Sequence, residues 1–201
     1  MPRSPFEPCI PSRGIKVPDR PEWIHEIKHD GYRLIIQRDG KRVRLWTRNG
    51  HDWRDRFPLI SEVALRNRNL SFVVDGEAVL LGVDGRSDFN GLHPRRHDDE
   101  VQFYAFDILA ESGEDLRKVP LSMRKANLAR LLTRRVDGIH LAPFEEGKIG
   151  PDLFRHACMM GLEGLVSKHR ESTYRAGWSD RWIKVKNRQH PAYSRVLDQF
   201  G

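Results

Sequence analysis

Asp39-Gly40 lies between two stretches, Tyr32 to Gln37 and Arg42 to Thr47, rich in β-branched, aromatic and alternating residues. An aspartate followed by glycine between such stretches marks a β-hairpin, because that pair tolerates the positive φ values the tight turn demands. In the second arm Val43 and Leu45 alternate with Arg42, Arg44 and Trp46, so successive side chains serve opposite faces. Further strand-like segments cover Trp23 to Lys28, Ser71 to Asp75 and Glu77 to Leu81 (these two broken at Gly76), Gln102 to Leu109, Glu163 to Lys168, and Trp182 to Lys186. Helical spacing is confined to Phe57 to Leu65, Ser122 to Arg135 with Ser122 as N-cap, and Pro151 to Met160, stopped by Gly161. Strands and helices mix without a regular βαβ alternation. The expected class is α+β, with largely antiparallel sheets flanked by helices.

The chain has 201 residues, enough for one domain with a sizeable core. Prolines at 2, 5, 8, 11, 18 and 21 predict an extended leader over residues 1–21, packed on a domain spanning 22–190, with a tail over 191–201. No apolar run approaches the roughly 20 residues that span a bilayer, and the N-terminus lacks a signal-peptide core. Cys9 and Cys158 are too few for a disulfide framework. A cytoplasmic monomer with no membrane partner is expected. The net charge of +7, with basic clusters at Arg38 to Arg48, Arg54 to Arg68 and Arg181 to Arg188, suits a polyanionic partner such as nucleic acid.

The chemistry-bearing stretch is Lys28-His29-Asp30-Gly31-Tyr32-Arg33. A lysine at a strand end becomes a nucleophile if its surroundings hold it uncharged; otherwise it is a solvated turn residue. In Trp182-Ile183-Lys184-Val185-Lys186 the period of two puts both lysines on one face, where they either hold an anion or discourage edge aggregation. Glu77, in Asp75-Gly76-Glu77, and Glu163, before Gly164, are strand-end carboxylates able to hold Mg²⁺ or a ribose hydroxyl. No zinc-type Cys/His spacing, Walker loop or Gly-x-Ser-x-Gly elbow is present.

The order of these motifs, with Arg48-Asn49-Gly50 and Tyr104-Ala105-Phe106-Asp107 between them, resembles the nucleotidyltransferase domain of ATP-dependent DNA ligases. The ligase modules of bacterial end-joining systems are the nearest likeness. It covers roughly residues 20 to 188 and implies an ATP-grasp-like domain around a nucleotide cleft. By the resemblance Lys28 takes up AMP, Glu26 contacts the adenine amino group and Ile27 borders the nucleotide. Arg33 and Arg48 lie near ribose and phosphate, Arg48 also near the nick. Glu77 lies near ribose or metal, Glu163 binds metal, and Phe106 stacks on adenine. Lys168, Lys184 and Lys186 surround the α-phosphate, and Asp30 orients the motif and engages the nick.

The implied substrates are ATP and nicked or broken double-stranded DNA, with Mg²⁺ (or Mn²⁺), in DNA repair. Two departures stand out. Trp178 occupies a position where similar ligases carry arginine, so a phosphate contact falls to Arg175 or Arg181 or is lost. The chain also stops shortly after Lys186, which leaves no room for an OB-fold domain; repair proteins would then supply that function. Like-charge crowding by Lys168, Lys184, Lys186, Arg33 and Mg²⁺ is expected to favour a neutral Lys28 amine. An RNA-end ligase, a capping-type nucleotidyltransferase and a catalytically weak nicked-DNA-binding module remain alternatives.

Overall fold

The structure is a computed structural model that describes residues 6–133 and 137–195. Residues 1–5 of the leader, the predicted helix end at Arg135 and residues 196–201 of the tail lie outside these. In chain order the elements are β1 (Cys9–Arg13), β2 (Trp23–Ile27), β3 (Tyr32–Asp39), β4 (Arg42–Thr47), α1 (Pro58–Arg66), β5 (Ser71–Val79), α2 (Phe89–Leu92), β6 (Gln102–Glu111) and β7 (Glu114–Asp115). They continue through α3 (Leu121–Leu131), β8 (Ile139–Leu141), β9 (Phe144–Glu146), α4 (Gly150–Met159), β10 (Gly164–His169), β11 (Gly177–Lys186) and α5 (Ala192–Arg195).

Two sheets face each other. The first runs β1-β11-β10-β2-β9 and the second β4-β3-β5-β6-β7, with β8 also pairing with β6. All pairings are antiparallel except β1 with β11 and β6 with β8. This is the α+β, largely antiparallel arrangement that the strand pattern predicts. The proline-rich segment contributes β1, and a parallel edge suits it because proline cannot donate to a second neighbour. Among the described residues no helix is long and apolar enough to cross a membrane.

The alternation explains the layers. In the β3–β4 hairpin Leu34, Ile36, Val43 and Leu45 point outward to a core shared with Ile60, Val63 and Ala64 of α1 and Leu128 and Leu131 of α3. Ile35 and Trp46 point the other way and meet Cys9, Tyr174 and Trp182 of the first sheet's side. A third cluster seats Ala157, Leu153 and Phe154 of α4 on Leu165, Val185 and Ile27. The layers are therefore helices, sheet, sheet, helix.

Some local expectations give way to tertiary contacts. Strand β5 runs unbroken through Gly76, because a Cβ there would come within 2.4 Å of the Phe103 ring and 2.5 Å of the Tyr104 carbonyl; the glycine serves close packing, not a break. Ser122 is not the N-cap of α3: the helix starts at Leu121 after Pro120 with no side-chain cap. Carbonyls of Ser172 and Arg170 accept from the Leu121 and Ser122 N–H groups instead, at 3.0 and 2.9 Å. Strand β11 begins at Gly177, earlier than Trp182, and Lys28 and Glu163 fall just outside β2 and β10.

One ion pair sits wholly inside. Arg124 of α3 donates from Nε and Nη2 to the Asp107 carboxylate of β6 at 2.7 and 3.0 Å, and both side chains are 0% exposed. Arg124 also donates to the Ser172 carbonyl at 2.9 Å, so it ties helix, sheet and the loop before β11 together. Removing one partner leaves the other charge bare in a dry site. Arg124→Met is expected to lower the unfolding free energy by about 3–5 kcal/mol in urea titrations, and Asp107→Leu in the same chain to recover much of that loss. Additive losses in the double variant would contradict this account.

Candidate active site

The two sheets leave a cleft bordered by β2, β10 and β11 on one side and by β3, β5 and β6 on the other, with Pro8, Ile10 and Pro11 of the leader at its edge. Glu26 and Lys28 lie two residues apart and so face the cleft together. The side chain of Ile27 packs on the opposite face against the α4 cluster, so its contribution to the cleft is main chain.

The Lys28 N–H donates to the Gly164 carbonyl at 2.9 Å, which fixes the residue just beyond β2. Its amine donates to Glu163 Oε2 at 2.7 Å, and the Lys186 amine reaches Glu163 Oε1 at 2.8 Å. This requires Gly164: its φ is +142°, and a Cβ would stand 2.1 Å from the Val185 carbonyl. The turn lets Glu163 sit between Lys28 and Lys186 with its side chain 2% exposed.

The protein's own groups work against one expectation. Burial works against the charged Lys28 amine, but Glu163 foremost, then Glu77 and Asp30, hold its pKa above the ordinary lysine value. The like charges of the neighbouring lysines do not prevail, because a carboxylate in direct contact outweighs cations farther off. The other side of the ledger is Glu77, whose carboxyl is pushed up to about 7 by burial and by Glu163 and Asp75, against Lys28 and Arg33. Burial also works to raise Glu163, yet Lys28 and Lys186 hold it below the carboxylate range.

Deeper in the cleft, Glu26 is 4% exposed. Lys168 donates to it at 2.6 Å and Lys125 of α3 pairs with its other oxygen. Burial opposes its ionisation, but these two amines hold the carboxyl below its ordinary value. Lys168 is itself drawn down to about 8, by burial first and by Lys125, against Glu26. Sequence reasoning missed Lys125: no motif marks it, and only the seating of α3 on the sheet brings it in.

Arg33 grips Asp75 through Nε and Nη2 at 3.0 and 2.6 Å and donates to the Cys9 carbonyl at 2.7 Å. Tyr174 donates to the same carboxylate at 2.6 Å and accepts from the Cys9 N–H at 3.0 Å. Arg33 is thereby committed to Asp75, while Asp75 and Tyr174 are structural members of the site that the sequence reading did not name as such. Phe106 lies 5.1 Å from the Arg33 guanidinium and 4.0 Å from the Lys168 amine, measured to its ring centroid. Two register shifts aim this strand: Gly76 pairs with Ala105 and Asp75 with Asp107, which leaves Phe106 unpaired, and Leu109 is skipped likewise. Bulges of this kind re-aim single side chains, here into the space between the sheets.

Arg48 is exposed and borders the cleft; Lys184 borders it from β11. Asp30 borders a separate groove behind Lys28 with Gly82 to Asp88 and Met160 to Glu163, so it is apart from Phe106 and Glu26. Tyr104, which also borders the cleft, stacks on His29 with centroids 4.6 Å apart and was not anticipated. The structure thus gathers Lys28, Glu26, Arg33, Arg48, Glu77, Phe106, Lys168 and Lys184 along one cleft, with Glu163 and Lys186 joined through Lys28.

Among the described residues no group of three or more His, Cys, Asp or Glu side chains could hold a metal by itself. Glu77 and Glu163, however, are hard oxygen donors near each other's field. That donor set fits a cation such as Mg²⁺, which takes one or two carboxylates and completes its shell with phosphate oxygens and water.

The profile described as "ATP dependent DNA ligase domain" matches residues 12–186. The chain is 39% identical over 176 residues to the multifunctional non-homologous end joining protein LigD of Pseudomonas aeruginosa, covering 86% of this chain and 21% of that protein. It is 35% identical over 175 residues to a probable DNA ligase of Streptomyces coelicolor, covering 80% of this chain and 34% of that protein. The chain therefore spans about a fifth to a third of the curated relatives named here. Among solved structures, a mycobacterial DNA ligase D complexed with ATP and MES superposes with a TM-score of 0.79 at 29% identity, covering 90% of this chain and 60% of that one. The ligase domain of M. tuberculosis LigD gives 0.78 at 30% identity, covering 90% and 59%. With a match that runs through nearly every element from β1 to β11, this chain belongs to the ATP-dependent DNA ligase domain family.

Proposed function

We propose that this chain is the adenylation unit of an ATP-dependent DNA ligase that acts in repair of nicked or broken double-stranded DNA. The observation that carries the reading is the Lys28 amine held 2.7 Å from Glu163 in a cleft that also presents Glu26, Phe106 and Arg33. Lys28 Nζ attacks the α-phosphorus of ATP; an N–P bond forms, the P–O bond to pyrophosphate breaks, and the amine gives up its proton. AMP then passes to a DNA 5′-phosphate, and a neighbouring 3′-hydroxyl displaces it.

The residues divide the labour. Glu26, kept ionised by Lys125 and Lys168, offers a carboxylate to the exocyclic amine of adenine; a carboxylate has spare lone pairs beyond the two lysine contacts. Phe106 gives the base an aromatic face. Lys168, Lys184 and Lys186 supply fixed positive charge where the phosphate's negative charge develops. Glu77 and Glu163 would hold Mg²⁺ or Mn²⁺, which would supply charge neutralisation at the phosphates; Glu163 is also the carboxylate that pairs with Lys28. Until Glu163 lets go, Lys28 stays protonated, so the resting protein keeps its nucleophile guarded.

Incubation with α-labelled ATP and Mg²⁺ is expected to leave covalent label on the wild-type chain and none on Lys28→Ala. Label that persists in the variant would remove Lys28 from the reaction. ATP is expected to label at least tenfold faster than GTP, whose ring bears an acceptor where Glu26 needs a donor; parity would favour a capping-type enzyme.

The raised pKa of Lys28 fixes the sign of a pH dependence. The amine is protonated across the neutral range, and each pH unit raises its neutral fraction about tenfold. The rate of label uptake at saturating ATP is therefore expected to climb between pH 6 and 8, with a log-slope of at least +1 below pH 7, where the Glu77 carboxyl, pushed up to about 7, also loses its proton. A flat profile would show that loss of this proton does not limit the step.

A further inference from the structure

Trp178 is 67% exposed, whereas Trp23, Trp46, Trp53 and Trp182 are buried or half-buried. Its place is set by an irregularity in the first sheet. Trp178 pairs with Ile10 and Ser179 with Pro11, but the next pair is Ser12 with Ile183, so residues 180–182 have no partner on β1. In a regular strand, positions six apart are separated by about 20 Å, beyond the combined reach of the two side chains. Here the Lys184 amine lies 5.8 Å from the centre of the Trp178 ring. The bulge folds the start of β11 back towards its catalytic-side end.

The ring therefore stands at the rim of the cleft, since Ile10, Pro11 and Lys184 all border it. Two cations share this rim. Neither Lys184 nor Arg48 makes an ion pair or side-chain hydrogen bond among the described residues. Burial first, then the charges of Lys28, Lys186 and Arg48, push the Lys184 amine below its ordinary value, against Glu163. An exposed flat ring beside uncompensated cations is the combination that engages nucleic-acid strands: phosphates meet the charge and a base meets the π-face. A protein partner would have to bring matching carboxylates as well as an apolar surface.

We propose that Trp178 is a stacking platform for a nucleobase at the DNA nick, with the adjoining phosphate held at Lys184 and Arg48. The proposal rests on the reading that DNA is the substrate and names a residue for its grip. A nick suits such a platform because a base at a strand break is less costly to unstack than one inside a continuous duplex. The ring also takes over engagement of the DNA at a position where the sequence pattern led one to look for an arginine.

The test is binding of a fluorescent duplex carrying a single 5′-phosphorylated nick, read by anisotropy at fixed salt. Trp178→Ala is expected to weaken binding by about five- to a hundredfold, and Trp178→Phe to stay within about threefold of wild type. Unchanged binding in Trp178→Ala overturns the proposal. So does Trp178→Leu matching Trp178→Phe, which would reveal an apolar contact without stacking. Label uptake from ATP, which requires no DNA, is measured on the same variants; a loss there equal to the loss in binding would place the ring at the nucleotide and also overturn it. A wild-type chain that binds nicked DNA yet takes no label would sink the adenylation reading and leave this comparison intact, whereas failure of wild type to bind the nicked duplex would sink the stacking proposal.

Discussion

Two buried carboxylates tie the sheets to each other beside the cleft. Asp75, on the second sheet, receives Arg33 and Tyr174, and both of these also hold the main chain of Cys9 in β1 of the first. Glu26, on the first sheet, receives Lys125 from α3, which is seated on the second. Apolar sheets tend to close on each other until no cavity remains. Here closure or sliding would strip a carboxylate of its partners, and a bare buried charge costs several kcal/mol. The cleft persists because its polar ties are directional.

The same arrangement governs Lys28. A lysine placed among lysines reads as a lysine driven towards neutrality. In the folded chain the Glu163 carboxylate is interposed between Lys28 and Lys186, and contact beats distance. Lys28 is thus held charged, and in the proposed reaction its activation would be a matter of withdrawing Glu163 rather than of adding positive charge. Glu77 stands ready in the opposite sense, its carboxyl pushed up to about 7, so the two acids differ in how easily each gives up its present state.

Much of the layout was legible because it follows from local rules. The hairpin was legible at Asp39-Gly40, although the turn pair is Gly40-Lys41, with Gly40 at φ +56° and Asp39 paired with Arg42 at the strand ends, and the period of two assigns Lys184 and Lys186 to one face. Motif order identified Lys28, Glu26, Arg33, Glu77 and Phe106 as companions. What escaped was anything set by contacts distant in sequence. Gly76 looked like a break because glycine weakens strands, but a close ring on the neighbouring strand needs its missing side chain. Ser122 looked like a cap because hydroxyls cap helices, but carbonyls from the 170–172 loop already satisfied those donors. The bulge that turns Phe106 inward is a mismatch between two strands and is written in neither alone.

By itself the sequence determined the fold class, the presence of the hairpin and the alternating faces, because each depends on neighbours within a few positions along the chain; the candidate nucleotide residues rest on the order of motifs along nearly the whole chain. Only the tertiary structure decided which charges touch. It seated Lys125 against Glu26, Tyr174 and Arg33 against Asp75, Glu163 against Lys28 and Trp178 beside Lys184. The physical reason is that Coulomb and hydrogen-bond energies fall steeply with separation and rise with burial, and both quantities exist only once the two sheets have met.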